Sequence, residues 1–148
     1  MVAIDATASD SFLTISDSTF INNQVIGSAG SGNSGSCSGG ALFNSGSTAT
    51  ISHSTFIGNQ AIGGDGDGDG GFARAGAIGG AGTLTIEDST FKGNRAIGGN
   101  GHVGASGRGT GPGVGEGGAI MNNSGGILVL TRSVLGVTGR PLLDKVKR

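Results

Sequence analysis

The sequence predicts an all-β fold, a right-handed parallel β-helix (a solenoid) of about three to four coils with glycine-rich loop excursions. Three observations lead to this fold class. A Ser-Thr-Phe motif returns at nearly constant spacing, and a short alternation of apolar and polar residues precedes each copy. The glycine-rich segments between the copies vary in length while the motifs do not, as expected of loops that leave one corner of a stack of coils.

The alternating segments predict short strands with one buried face. In Leu13-Thr14-Ile15-Ser16 the apolar residues point inward and the polar residues outward, and the pattern returns at 49–52, 84–87 and 128–131. Strands this short cannot bury themselves, so strands at equivalent places must cover one another, with a spacing of about 4.8 Å. The sequence therefore predicts parallel strands stacked in register.

The Ser-Thr-Phe motif begins at Ser18, Ser54 and Ser89, and a degenerate fourth copy runs from Ser133 to Thr138. Stacking of the repeats predicts three apolar columns: Phe20, Phe56, Phe91 and Leu135; Ile15, Ile51, Ile86 and Leu130; and Leu42, Ile78 and Ile120. An asparagine follows each phenylalanine by three residues, at Asn23, Asn59 and Asn94. We expect these to form a ladder at a corner, since asparagine suits turns and its amide can bond an adjacent coil; three unrelated turn asparagines are the alternative.

The chain divides into three parts by this pattern. Residues 1–11 form an N-terminal edge or the start of a fragment, 12–138 the β-helix repeat domain, and 139–148 a C-terminal tail or cap, where Pro141 opens a short helical turn. The first five residues have neither the basic nor the apolar region of a signal peptide. We therefore expect a piece of a longer protein in which the solenoid continues.

Composition argues against several functions. The net charge of −1 gives no electrostatic case for nucleic acid, and no run approaches the ~20 apolar residues of a membrane helix. The chain has neither Trp nor Tyr, which weakens proposals based on stacking of sugars or bases. Cys37 is the only cysteine and has no neighbouring ligand residue, so we interpret it as incidental.

A second motif precedes the alternating segments, at Gly39-Gly40-Ala41-Leu42, 75–78 and 117–120. Together with Phe-x-x-Asn it resembles the repeats of the chlamydial polymorphic outer-membrane proteins, and related glycine-rich β-helix repeats of large bacterial surface proteins, over roughly residues 12–138. The resemblance implies an autotransporter-like passenger β-helix for adhesion or surface display, with an extracellular or cell-surface location. Two positions depart from the pattern: Ala75 replaces a glycine, and Thr138 replaces the asparagine.

One segment suggests a metal. Asp65, Asp67 and Asp69 alternate with glycine, so their carboxylates could converge on Ca²⁺. The spacing matches the first half of an EF-hand loop, but Gly76 stands where the final glutamate is needed. A solvated acidic loop is the alternative, and no other cofactor is predicted.

The candidates for catalysis are Asp17, His53 and Asp88, which occupy equivalent places in three repeats; a turn-forming role explains them equally well. The other histidine, His102, lies in a glycine-rich segment. The threonine columns 14/50/85 and 19/55/90 suggest ice binding, with simple β-propensity as the alternative. The leading function is a non-catalytic structural or adhesive segment of a secreted or cell-surface protein, whose partner is a host or cell-surface ligand or a polysaccharide. The alternative is a fragment of a carbohydrate-active β-helix enzyme, a polysaccharide lyase or glycoside hydrolase.

Overall fold

The computed structural model describes residues 4–6, 11–31, 34–101, 111–123 and 125–136. Within these ranges the chain is all-β, with short strands and no helix, and every strand pair is parallel. The strands stack with regular register from one repeat to the next, which makes the fold a parallel β-solenoid. No helix among the described residues is long and apolar enough to cross a membrane.

Each repeat contributes strands to five parallel sheets, and each sheet stacks strands from successive repeats. The first sheet contains β1 (Ile4–Ala6), β6 (Leu42–Asn44), β11 (Ile78–Gly80) and β16 (Ile120–Asn122). The second, the alternating sheet, contains β2 (Phe12–Ser16), β7 (Thr48–Ser52), β12 (Thr83–Glu87) and β17 (Ile127–Thr131).

The third, the phenylalanine sheet, contains β3 (Thr19–Ile21), β8 (Thr55–Ile57), β13 (Thr90–Lys92) and β18 (Val134–Gly136). The remaining two sheets have three strands each: β4 (Gln24–Ile26), β9 (Gln60–Ile62) and β14 (Arg95–Ile97); and β5 (Cys37–Ser38), β10 (Ala73–Arg74) and β15 (Gly115–Glu116). The short strand β1 falls within the segment that the sequence assigned to an N-terminal edge, and it pairs in register with β6.

The alternation of the sequence explains the second sheet. In β7, Ala49 and Ile51 are buried while Thr50 is exposed, and the register pairs Ile51 with Ile15 on one side and Ile86 on the other. Side chains at every second position of a strand point to the same face. The apolar positions of all repeats therefore meet inside the solenoid and the threonines stand outside.

The phenylalanines form a stacked column in the interior. Neighbouring rings in the series Phe20, Phe56 and Phe91 have centroids 4.7 Å apart, and their planes differ by 2–3°. This separation matches the spacing of hydrogen-bonded strands, so the backbone register itself sets the ring stacking. Leu135 continues the column through its pairing with Phe91.

The glycine-rich segments also stack on one another where they are described. Gly35, Gly71 and Gly113 each donate a backbone hydrogen bond to an earlier residue of the same segment, at 2.8–2.9 Å. Gly64 and Gly99 donate to the carbonyls of Gly35 and Gly71 in the preceding repeat, at 3.0 and 2.9 Å. We name these stacked glycine-rich segments the glycine stack. A Cβ at Gly71 would overlap the carbonyl oxygen of Gly35, so the stack excludes a side chain at this position. The excursions are thus a hydrogen-bonded extension of the solenoid.

The last repeat is less covered than the others. Leu128, Leu130 and Leu135 are 43%, 40% and 41% exposed, although the residues beneath them, Leu84, Ile86 and Phe91, are at most 2% exposed. The tail at 139–148, with Pro141, and the departure at Thr138 lie outside the described residues.

Candidate functional site

The buried asparagines are joined by a continuous hydrogen-bond ladder. The backbone N and Nδ2 of Asn23 both donate to Oδ1 of Asn59, at 3.0 and 2.9 Å, and Asn59 repeats the pair with Asn94, at 2.9 Å each. Nδ2 of Asn59 also donates to the carbonyl of Phe20, and that of Asn94 to the carbonyl of Phe56, both at 3.0 Å. The asparagine ladder therefore satisfies buried backbone groups at the corner after each phenylalanine strand.

A second ladder is formed by Ser18, Ser54, Ser89 and Ser133. The backbone N of each of the first three donates to Oγ of the next, at 3.1–3.2 Å. Each Oγ in turn donates to the carbonyl two residues earlier, at 2.7–2.9 Å. No role was predicted for these serines, although a serine stands at this place in all four copies of the motif, including the degenerate one.

The catalytic candidates Asp17, His53 and Asp88 stand at equivalent places on an outer corner, and Arg132 extends this outer corner column. All four have positive φ angles, 48°, 48°, 47° and 45°. The backbone N of each of the first three donates to a carbonyl of the next repeat, at 3.1–3.2 Å. Asp and His tolerate the left-handed conformation better than most residues, so the geometry suits the turn-forming role.

Three residues of the outer corner column, His53, Asp88 and Arg132, contact one another through their side chains. Arg132 donates two hydrogen bonds to Asp88, Nε to Oδ1 and Nη2 to Oδ2, at 2.8 Å each, and Nη2 also bonds Glu87. These hydrogen bonds lower the pKa of Asp88 and raise the pKa of Arg132. His53 Nε2 lies 3.7 Å from Oδ2 of Asp88. The carboxylate of Asp88 is therefore engaged by a cation, which makes it a poor proton acceptor.

The aspartates of the predicted calcium segment are exposed, and two of them accept hydrogen bonds within the glycine stack. Asp65 Oδ1 accepts a hydrogen bond of 2.6 Å from the backbone N of Asn100. The carbonyl of Asp69 accepts hydrogen bonds from the N and Oγ of Ser34, at 3.0 and 2.9 Å. Across the residues that the structure describes, no three His, Cys, Asp or Glu side chains are grouped so that they could hold a metal ion. Calcium binding by Asp65, Asp67 and Asp69 stays a prediction, and His102 lies outside the described residues.

A cleft of about 350 Å³ opens on the outer surface, where β5 and β10 turn into β6 and β11. We name it the Arg74 cleft, and it is lined by Ser36, Cys37, Ser38, Phe43, Arg74 and Asn123. Arg74 Nε lies 3.3 Å from Oε2 of Glu116, and its guanidinium carbon lies 5.5 Å from the centre of the Phe72 ring. Sequence analysis missed this cleft because its residues come from three repeats and share no motif.

Two polar groups of the cleft wall differ in their bonding. The thiol of Cys37 donates to the carbonyl of Ile62 at 3.1 Å, and burial raises its pKa. The hydroxyl of Ser38 is buried and has no hydrogen-bond partner in the part of the chain that is described. A buried polar atom of this kind is uncommon, and this one packs against Gly79.

The comparisons with known proteins add no relative. No family of proteins, no curated protein and no solved structure was found to match the chain. The class of protein is therefore given by the architecture alone, a parallel β-solenoid with internal ladders and an outer cleft.

Proposed function

We propose that this chain is a non-catalytic structural and adhesive segment of a secreted or cell-surface protein, folded as a right-handed parallel β-helix of about three to four coils. The observation that carries the proposal is the repetition of identical buried contacts, at 4.7 Å per step between the stacked rings. An array in which every unit contacts its neighbours in the same way gives a stiff support that is lengthened by adding units.

The exposed apolar residues of the last repeat support continuation of the solenoid in a longer chain. Leu128, Leu130 and Leu135 belong to interior columns yet remain 40–43% exposed, and within the described residues the strands β17 and β18 each pair on one side only. A further repeat would cover these side chains and pair the free strand edges. The resemblance of the repeats to those of bacterial surface proteins supports display outside the cell.

The alternative, a fragment of a carbohydrate-active enzyme, has less support. Its candidates Asp17, His53 and Asp88 lie on one corner, but Asp88 is engaged by Arg132 and all three adopt the backbone geometry of a turn. An assay on a panel of polysaccharides separates the two functions. Lyase or hydrolase activity of the purified chain that disappears in His53→Ala would overturn the non-catalytic proposal.

Location is tested on intact cells of the organism that makes the protein. An antibody against the purified chain should label intact cells as strongly as permeabilised ones, while an antibody against a cytoplasmic protein labels only the latter. Labelling of this chain only after permeabilisation would contradict display at the surface. The adhesive part is tested by binding of the purified chain to immobilised polysaccharides and to intact cells.

A further inference from the structure

The Arg74 cleft combines groups that stacking alone brings together. Cys37, Ser38 and Phe43 come from one repeat, Arg74 from the next and Asn123 from the one after. Its volume of about 350 Å³ lies at the small end of the range of about 300–1,000 Å³ that is typical of small-molecule sites. The cleft therefore has room for a single ring with its substituents.

The cleft lies beside a glycine of the first sheet. Gly79 pairs in register with Phe43 on one side and Met121 on the other, and the hydroxyl of Ser38 occupies the space that a side chain of Gly79 would fill. Adjacent strands lie about 4.8 Å apart, which places the backbones at Phe43 and Met121 about 9.6 Å from each other. The half-buried ring of Phe43 forms an apolar wall of the cleft, and Ser38 closes the base beside it.

The polar groups of the cleft offer both hydrogen-bond donors and acceptors. Arg74 provides donors only, Glu116 beside it provides acceptors, and the amide of Asn123 provides both. A pair of neighbouring hydroxyls, each of which donates and accepts, fits this combination. An anionic ligand fits less well, because the carboxylate of Glu116 lies 3.3 Å from the guanidinium and already neutralises its charge.

We propose that the Arg74 cleft binds one ring of a neutral saccharide. The C–H face of the ring packs on Phe43, and its hydroxyls bond Arg74, Glu116 and Asn123. This inference deepens the adhesive role proposed above and rests on it, since it names the ligand class and the place where it binds.

The test is a titration of the isotope-labelled chain, followed by the backbone amide signals in NMR spectra. The probes are the methyl glycosides of glucose, galactose and N-acetylglucosamine, with methyl glucuronide as a charged sugar and benzoate as an aromatic acid. We expect at least one neutral glycoside at millimolar concentration to shift the amides of residues 36–38, 43, 74, 79 and 123 while leaving the outer corner column unchanged. Shifts with none of the glycosides, or with glucuronide or benzoate alone, would overturn the proposal.

Two variants and a matched control locate the site. Phe43→Ala removes the apolar wall and Arg74→Gln removes the charged donors; each should weaken binding of the neutral glycoside about tenfold. Phe12→Ala, at a ring that is 84% exposed and outside the cleft, should leave the affinity unchanged. Melting temperatures of all three should stay close to that of the parent chain, which separates lost binding from lost folding. Unchanged affinity in both cleft variants would place the ligand elsewhere.

The outcome also separates this inference from the proposed function. If the chain adheres to cells or polysaccharides and both cleft variants adhere equally well, the cleft proposal fails while the adhesive role stands. If the chain is absent from the cell surface and binds no cells, the adhesive role fails whatever the glycoside titration shows.

Discussion

The asparagine ladder and the outer corner column are two stacks built by the same repeat, yet they differ in composition and environment. Asn23, Asn59 and Asn94 are chemically identical, buried and joined by the same hydrogen bonds at each step. The outer corner column places Asp, His, Asp and Arg at equivalent turns, and the last three contact one another through their side chains at the surface. One stack repeats a residue; the other repeats only a backbone conformation.

This difference in burial indicates which of the two stacks stabilises the register of the solenoid. A buried amide that loses its partner leaves several polar groups unsatisfied, each at a cost of about 1–3 kcal/mol. A charge at the surface is still hydrated when its partner is removed, and exposed pairs are worth little. We therefore expect interior substitutions to destabilise the fold strongly and corner substitutions only slightly, and four variants test this ordering.

The largest loss of stability is expected from a substitution in the phenylalanine column. Phe56 is fully buried and stacks on a ring at each face, so Phe56→Ala should lower the free energy of unfolding by about 3–5 kcal/mol. Urea denaturation followed by circular dichroism measures it. Phe12→Ala, at an outward position that is 84% exposed, is the matched control and should change stability by less than about 0.5 kcal/mol. Equal losses in the two variants would mean that the column does not form the interior.

The second-largest loss of stability is expected in the asparagine ladder. Asn59→Ala removes the acceptor of Asn23 and the donor to the carbonyl of Phe20, and we expect a loss of about 3 kcal/mol. His53→Ala changes an exposed residue of the same repeat and should cost far less. A loss in His53→Ala as large as that in Asn59→Ala would contradict the distinction between the two stacks.

Contacts between equivalent residues of successive repeats could be predicted from the sequence. Contacts between residues at different places in the repeat could not. The nearly constant spacing of Phe20, Phe56 and Phe91 was enough to predict their stacking, because strands in register superpose equivalent residues. The Arg74 cleft depends on where Phe43, Arg74 and Asn123 meet across three repeats, and no periodicity marks those positions. The pairing of Asp88 with Arg132 was missed for a related reason, since the fourth repeat is degenerate and 44 residues separate the partners.

A substitution in the glycine stack is expected to cause a loss of stability of intermediate size. At Gly71 an added methyl group would overlap the carbonyl oxygen of Gly35, whereas at Gly111 no atom of the described residues lies within 4 Å of the added carbon. Gly71→Ala should therefore destabilise the fold by about 2 kcal/mol, and Gly111→Ala should be nearly neutral. Thermal denaturation compares the two glycines directly. Similar melting temperatures would show that the stack is loose enough to accept side chains.

The smallest loss of stability is expected at the outer corner column. The pH dependence of this loss distinguishes the column from the asparagine ladder. Arg132 lowers the pKa of Asp88 in the folded chain, so this pair contributes stability above the ordinary pKa of aspartate, near 4, and the contribution is lost as the pH falls through the lowered value. Arg132→Ala should slightly lower the melting temperature at pH 7, and the difference from the parent chain should vanish at strongly acidic pH or high salt. Asn59→Ala should retain its full effect over the same range because an amide does not titrate. A difference for Arg132→Ala that persists unchanged in strong acid would show that this arginine stabilises the corner through packing instead of charge.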